Sequence, residues 1–188
     1  MAGSSTADTT PPTRPGPVFY YDLGSPWCWL AAERVHEVLG TVPEWQPVSA
    51  TALEDVDRAA VERRAAEQGI PEVRWPEPWP FDSGPAMLVA TFAKQTGRTV
   101  AFSLSAMRQA FAAARDLGVL DNVLIAAAAC ELHPRAVTQA IETRGVIDAL
   151  RDAGEAARAA GVRELPAIAI RGAVASGPDA PERALVAT

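Results

Sequence analysis

The chain has 188 residues, 48% of them hydrophobic and 21% charged, and a net charge of −6. That composition suits one soluble unit with a sizeable core, while the acidic balance and the lack of clustered Lys and Arg exclude a surface that tracks nucleic-acid phosphates. Two cysteines, Cys28 and Cys130, exclude a disulfide framework, and no apolar run approaches the roughly 20 residues of a membrane span.

Residues 1–17, rich in Ser, Thr, Pro and Gly, read as a flexible tail. They lack the apolar core of a secretory signal, so a cytoplasmic protein is expected. Residues 18–22 form a hydrophobic strand, followed by a helix over 27–39 in which Leu30, Ala31, Val35, Val38 and Leu39 recur at helical spacing. Gly40 closes that helix as its C-cap. A second strand at 44–48 completes a strand–helix–strand unit, which predicts parallel pairing through a right-handed crossover. Pro47 within it has no N–H to give a neighbour, so either that position faces no partner or the strand lies at an edge.

The middle of the chain is helical. A helix over 52–68 has one solvated face and is stopped by Gly69-Ile70-Pro71. In 75–81 alternating prolines deny a helix and favour an extended, polyproline-like backbone. Further helices are expected at 85–96, 103–116, 121–130, 135–143 and 146–160, then strands at 167–171 and 172–176. Gly177-Pro178-Asp179 turns the chain into one or two helical turns over 181–187. The fold class is α/β, with 50–144 as a long all-helical insertion between 18–49 and 145–188.

Chemistry concentrates at Ser25-Pro26-Trp27-Cys28. A strand turning through Leu23-Gly24 places Ser25 at a helix N-cap, and Pro26 suits the first helical position. A helix start has unpaired N–H groups and a partial positive charge, so it stabilises an anion such as a thiolate. With Cys in place of Ser25 the stretch would be a C-x-x-C redox motif. Here the leading group is a hydroxyl, a poor nucleophile without an adjacent base. It either donates to a sulfur anion or acts as a helix cap alone, worth about 1 kcal/mol. Cys28 stands where the second, more buried cysteine of such a pair would be. It lacks a resolving partner for a dithiol cycle, which leaves mixed disulfides or a shielded structural thiol.

The run Phe19-Tyr20-Tyr21-Asp22-Leu23-Gly24-Ser25-Pro26-Trp27-Cys28-Trp29-Leu30-Ala31, then Trp75-Pro76 through Pro80-Phe81, then Gly161-Val162-Arg163-Glu164-Leu165-Pro166, resembles the DsbA-like branch of the thioredoxin superfamily. Within it the likeness is to 2-hydroxychromene-2-carboxylate isomerases and kappa-class glutathione transferases. The resemblance implies a thioredoxin-like domain formed by 18–49 and 145–188. It also implies a bound low-molecular-weight thiol, glutathione or another such as mycothiol, whose sulfur accepts a hydrogen bond from Ser25. Trp27, Leu165, Pro166 and Asp179 would serve cofactor binding, with Leu165-Pro166 cis and the Leu165 backbone pairing with the thiol peptide. The carry-over to Asp179 rests on a partial match of Ser176-Gly177-Pro178-Asp179 to the family's turn. Where relatives have Asn after the Pro-aromatic segment, this chain has Asp82-Ser83, whose carboxylate repels the acid groups of glutathione. The implied partners are that thiol and a small-molecule substrate, and relatives imply a homodimer.

Trp75, Trp79 and Phe81 are candidates for the wall of a pocket for an aromatic substrate, with core packing as the alternative. Trp29 and Cys130 read as packing, His36 as a surface residue and His133 as a helix cap, and no cluster has metal-ligand spacing. Three functions compete: a thiol-dependent isomerase or transferase, a thiol–disulfide oxidoreductase using Cys28, and a non-catalytic thiol- or peptide-binding protein.

Overall fold

The structure, a computed structural model, describes residues 16–49 and 56–186. β1 (Val18–Tyr21) turns into α1 (Pro26–Leu39), and β2 (Glu44–Pro47) follows. α1 starts at the Ser25 N-cap with Pro26 in its first turn and ends at Gly40, whose φ of 63° suits a residue without a Cβ. Five helices come next: α2 (Arg58–Glu67), α3 (Gly84–Gln95), α4 (Thr99–Phe111), α5 (Leu120–Ala128) and α6 (Pro134–Ala140). α7 (Arg144–Ala159), β3 (Ala167–Ile170), β4 (Ala173–Ser176) and α8 (Ala180–Val186) complete the order.

The strands form one mixed sheet in the order β2-β1-β3-β4. β1 and β2 run parallel, and β2 is an edge strand, consistent with Pro47. β3 pairs antiparallel with both β1 and β4. Side chains alternate across the sheet. Phe19, Tyr21, Ile168 and Ala175 join the core that also holds α1 and α8 residues, whereas Ala167 and Val48 pack with Val162 and Ala157 of α7. The first core continues without a break into the intervening helices through the fully buried Met87, Phe102, Met107 and Phe111. The Tyr21 hydroxyl joins the two regions, at 2.7 Å from Ser103 Oγ and 3.2 Å from Thr99 Oγ1 of α4.

β1 pairs from Val18, with the Pro17 carbonyl accepting from Glu44 N at 2.8 Å, while 1–15 lie outside the described residues. Several expectations need correction. α2 is capped by the Asp57 side chain, with 50–55, and so the expected start at 52, outside the described residues. α4 spans Thr99–Phe111 rather than 103–116, because Arg74 N takes the Phe111 carbonyl at 2.7 Å and Ala114 turns to φ 55°. The proline-rich stretch is free of helix but not extended: it bends over 77–80, with cis bonds at Glu77-Pro78 and Trp79-Pro80.

Candidate active site

The turn from β1 to α1 is tied together by its own short-range bonds. Asp22 Oδ1 accepts from Gly24 N at 2.7 Å, and the Asp22 carbonyl accepts from Ser25 N at 3.2 Å. Ser25 Oγ accepts from Cys28 N at 3.3 Å, which fixes the hydroxyl at the positive end of α1. An oxygen that accepts in this way still has its own proton to donate. Ser25 is 4% exposed. Trp27, one turn position on, is half-buried against the core.

Leu165-Pro166 is cis and immediately precedes β3. The last pair of the β1–β3 ladder is Tyr20 with Ala167, and Pro166 comes immediately before Ala167. The proline edge therefore lies at the end of the sheet from which the Ser25 turn departs. Gly177 N donates to the Pro166 carbonyl at 2.9 Å, which brings Gly177-Pro178-Asp179 to that end as well. Asp179 itself is exposed, and its carboxylate is bound by Arg64 of α2. Leu165 is half-buried and Pro166 buried.

Cys28 is fully buried, with Asp22 N donating to its sulfur at 3.5 Å. Burial pushes its thiol from the ordinary 9.0 up to about 12, outweighing the opposing bonds from Ser25 and from the Asp22 backbone. The Tyr21 phenol is likewise pushed by burial from 10.0 to about 12. These shifts have a defined sign. A raised folded-state pKa stabilises the fold fully below the unfolded value, and that stabilisation is lost as pH rises toward the folded value. Chemical unfolding followed between pH 8 and 12 should therefore show stability falling from about pH 9 upward, with Cys28→Ala reducing the earlier part of the fall, to which Cys130, also raised by burial, contributes the rest.

Trp75 and Trp79 meet edge to face at 4.9 Å, and Trp75 and Phe81 both pack on Phe111, itself stacked on Trp29 of α1 at 5.9 Å. Arg58 of α2 lies over both indoles, 4.8 Å from one centroid and 5.2 Å from the other. Glu62 accepts the Trp75 indole N–H at 2.7 Å, whereas the buried Trp79 Nε1 has no partner among the described residues. These aromatics thus form one cluster that extends from the site helix to α2. Arg58, Glu62 and Arg64 escaped the sequence reading because each acts across more than ten residues on an unremarkable helix face. Asp22 was legible in principle, since Asp two residues before Gly is a turn signal. Cys130, whose Sγ contacts the Ala126 carbonyl at 3.5 Å, is buried. His133 accepts from Arg135 N at 3.2 Å as the cap of α6, and His36 is exposed.

A hydroxyl-capped helix start beside a cis-proline edge of a four-stranded mixed sheet is matched by one family over nearly the whole described chain. The DSBA-like thioredoxin domain matches residues 18–186. The chain belongs to that family. Solved structures of DsbA-like proteins share its fold. A 2-hydroxychromene-2-carboxylate isomerase has a TM-score of 0.78 at 14% identity, covering 91% of this chain and 93% of that one. A probable DsbA oxidoreductase from Streptomyces coelicolor has a TM-score of 0.72 at 17% identity, over 91% and 88%. The cytosolic disulfide reductase DsbM from Pseudomonas aeruginosa, solved with GSH, has a TM-score of 0.64 at 16% identity, over 92% and 98%. No curated protein sequence matches the chain. Among the described residues of this DsbA-like chain, no group of His, Cys, Asp and Glu is arranged to hold a metal ion, and no helix is long and apolar enough to cross a membrane.

Proposed function

We propose that this DsbA-like protein is an enzyme that binds a low-molecular-weight thiol of the glutathione type and uses its sulfur for isomerisation or transfer on a small electrophile. The observation that carries the reading is the pairing of Ser25 at the helix start with a Cys28 that is fully buried and protonated at neutral pH. With no accessible thiolate at its own helix start, the protein must draw the nucleophile from a ligand. The neighbour solved with GSH and the neighbour named as an isomerase agree with this reading.

The chemistry follows from that placement. The ligand thiol releases its proton to solvent, and the thiolate accepts from the Ser25 O–H in the field of α1. The thiolate adds to an unsaturated carbon of the substrate, forming a C–S bond while the π electron pair moves onto the conjugated electron-withdrawing group. For isomerisation, the bond order lost allows rotation, and return of that pair re-forms the double bond, breaks the C–S bond and releases the thiolate. For transfer, a proton from solvent neutralises the displaced pair, the C–S bond persists and the adduct leaves. The half-buried Leu165, before the cis-proline that leads into β3, offers the backbone edge along which a thiol peptide adds as a short strand. The ammonium of a γ-glutamyl group would compete with Arg64 for Asp179. We place such an enzyme in the cytoplasm, like the DsbM neighbour, with the thiol and a small molecule as its partners.

Ser25→Ala tests the reading. A hydrogen bond to a charged acceptor is worth about 1.5–3 kcal/mol, so thiolate formation by bound glutathione, read by ultraviolet absorbance against pH, should weaken about 10- to 100-fold. The same variant loses only about 1 kcal/mol of stability as a cap. Glutathione that binds with equal thiolate fraction in both proteins, or does not bind at all, overturns the proposal. The oxidoreductase reading has disulfide-exchanging neighbours in its favour, and against it a Cys28 with no exposed surface.

A further inference from the structure

A groove of about 310 Å³ opens between α3 and α7. Leu88 of α3 and Ile147 and Leu150 of α7 wall it, Ser49 follows the end of β2, and Arg151 and Arg158 supply every charge in its lining. In a chain of net charge −6 this is a locally basic and otherwise apolar surface. The two arginines differ. Arg151 is held by Asp148 at 2.8 Å and Asp152 at 2.9 Å. The Arg158 guanidinium has no hydrogen bond or ion pair among the described residues, although its backbone carbonyl accepts from Arg163. It folds back along the groove: a Cβ placed on Gly154 would lie 3.6 Å from Arg158 Nη1. Gly154 thus leaves the floor open beneath a guanidinium that no described carboxylate pairs.

The groove also has a defined relation to the candidate site. Val48, next to Ser49, donates its N–H to the Tyr21 carbonyl, so Ser49 lies at the end of the sheet where β1 turns toward Ser25. Met87, next to Leu88, accepts from Leu23 N at 3.3 Å, so the first turns of α3 separate the groove from the Asp22–Ser25 turn. Its volume is at the small end of the roughly 300–1,000 Å³ of ligand pockets.

We propose that this groove binds a small apolar monoanion, a ring or short hydrocarbon bearing one acid group, with Arg158 holding the charge and Leu88, Ile147 and Leu150 covering the apolar body. The groove is a binding site apart from Ser25, and it stands whether or not the thiol-dependent reading above holds. Arg158 is then a specificity-determining residue, because an acid gains a charge-assisted bond there that a neutral isostere does not.

The test uses 1-naphthoate and the neutral 1-naphthamide as probes, titrated calorimetrically into the full chain. Naphthoate should bind one per chain and at least tenfold more tightly than the amide. Arg158→Ala should bring naphthoate down to the amide's affinity without changing the amide. Gly154→Leu fills the floor, replaces a poor helix residue with a good one so that folding is secure, and should abolish binding of both probes. Ser25→Ala should leave both affinities unchanged, so failure of the thiol chemistry and failure of the groove are read separately. Equal affinity for acid and amide, absence of naphthoate binding, or binding untouched by Arg158→Ala or Gly154→Leu overturns the assignment.

Discussion

Ser25→Cys should convert the start of α1 into a dithiol–disulfide centre. The new sulfur would sit at the N-cap, where the helix field and the free N–H groups of the first turn favour its thiolate. Cys28 is the matching partner, since its backbone N–H already meets the position 25 side chain at 3.3 Å. Its thiol, held at about 12, stays protonated while the outer sulfur reacts, as suits the resolving member of a pair. With glutathione disulfide as oxidant the balance is complete: two protein thiols lose two protons and two electrons to form one S–S bond, and one glutathione disulfide becomes two glutathione molecules. The wild-type chain has only the free thiols of Cys28 and Cys130, both buried. Alkylation after denaturation, before and after equilibration with glutathione disulfide, should find two thiols in the wild type throughout, and in the variant three falling to one. A variant that retains all three shows that positions 25 and 28 are not poised for exchange and that the hydroxyl is not at a redox-competent helix start.

What the sequence disclosed was governed by the range of the forces involved. The site turn was legible because its causes are local: a strand ends, Ser25 caps, Pro26 fits the first turn, and Gly40 supplies the left-handed residue that stops α1. Pro47 at an edge strand was legible for the same reason, since a missing N–H is a property of one residue. α4 was misread at its end because Ala112, Ala113 and Ala114 favour helix intrinsically, whereas a backbone bond from Arg74, far back in sequence, takes the terminal carbonyl. The surroundings of Asp179, Trp75 and Trp79 were not legible. Arg64 and Arg58 reach them from α2, and nothing in the spacing of a helix rich in Arg and Ala marks which cation is committed to a carboxylate and which to an indole. The Arg158 groove escaped for a related reason, since it depends on a cation that no described residue pairs.

Trp29→Ala should be among the most destabilising single changes in the site helix. The indole is fully buried, stacks on Phe111 at 5.9 Å, and donates its N–H to Glu33 Oε1 at 2.9 Å. Truncating a buried Trp to Ala costs about 3–5 kcal/mol in transfer and cavity terms, a large part of the 5–15 kcal/mol that holds a typical domain together. A second loss adds to this. Glu33 is also gripped by both arms of Arg108 from α4, at 2.7 and 2.6 Å, so the indole, carboxylate and guanidinium together bind α1 to α4. Arg108→Ala supplies the comparison. Its side chain is 57% exposed, so solvent screens the pair and removal should cost about 1 kcal/mol or less. Urea unfolding of the two variants should therefore differ by about 2–4 kcal/mol at similar m-values. Because Trp29 N donates to the Ser25 carbonyl at 3.1 Å, the lost indole also loosens the turn that carries the hydroxyl. Trp29→Ala should then weaken thiolate stabilisation along with stability, whereas Arg108→Ala leaves it intact. A Trp29→Ala protein within 1 kcal/mol of wild type would mean that Phe111 and its neighbours collapse into the space, and that the aromatic cluster is not what fixes the start of α1.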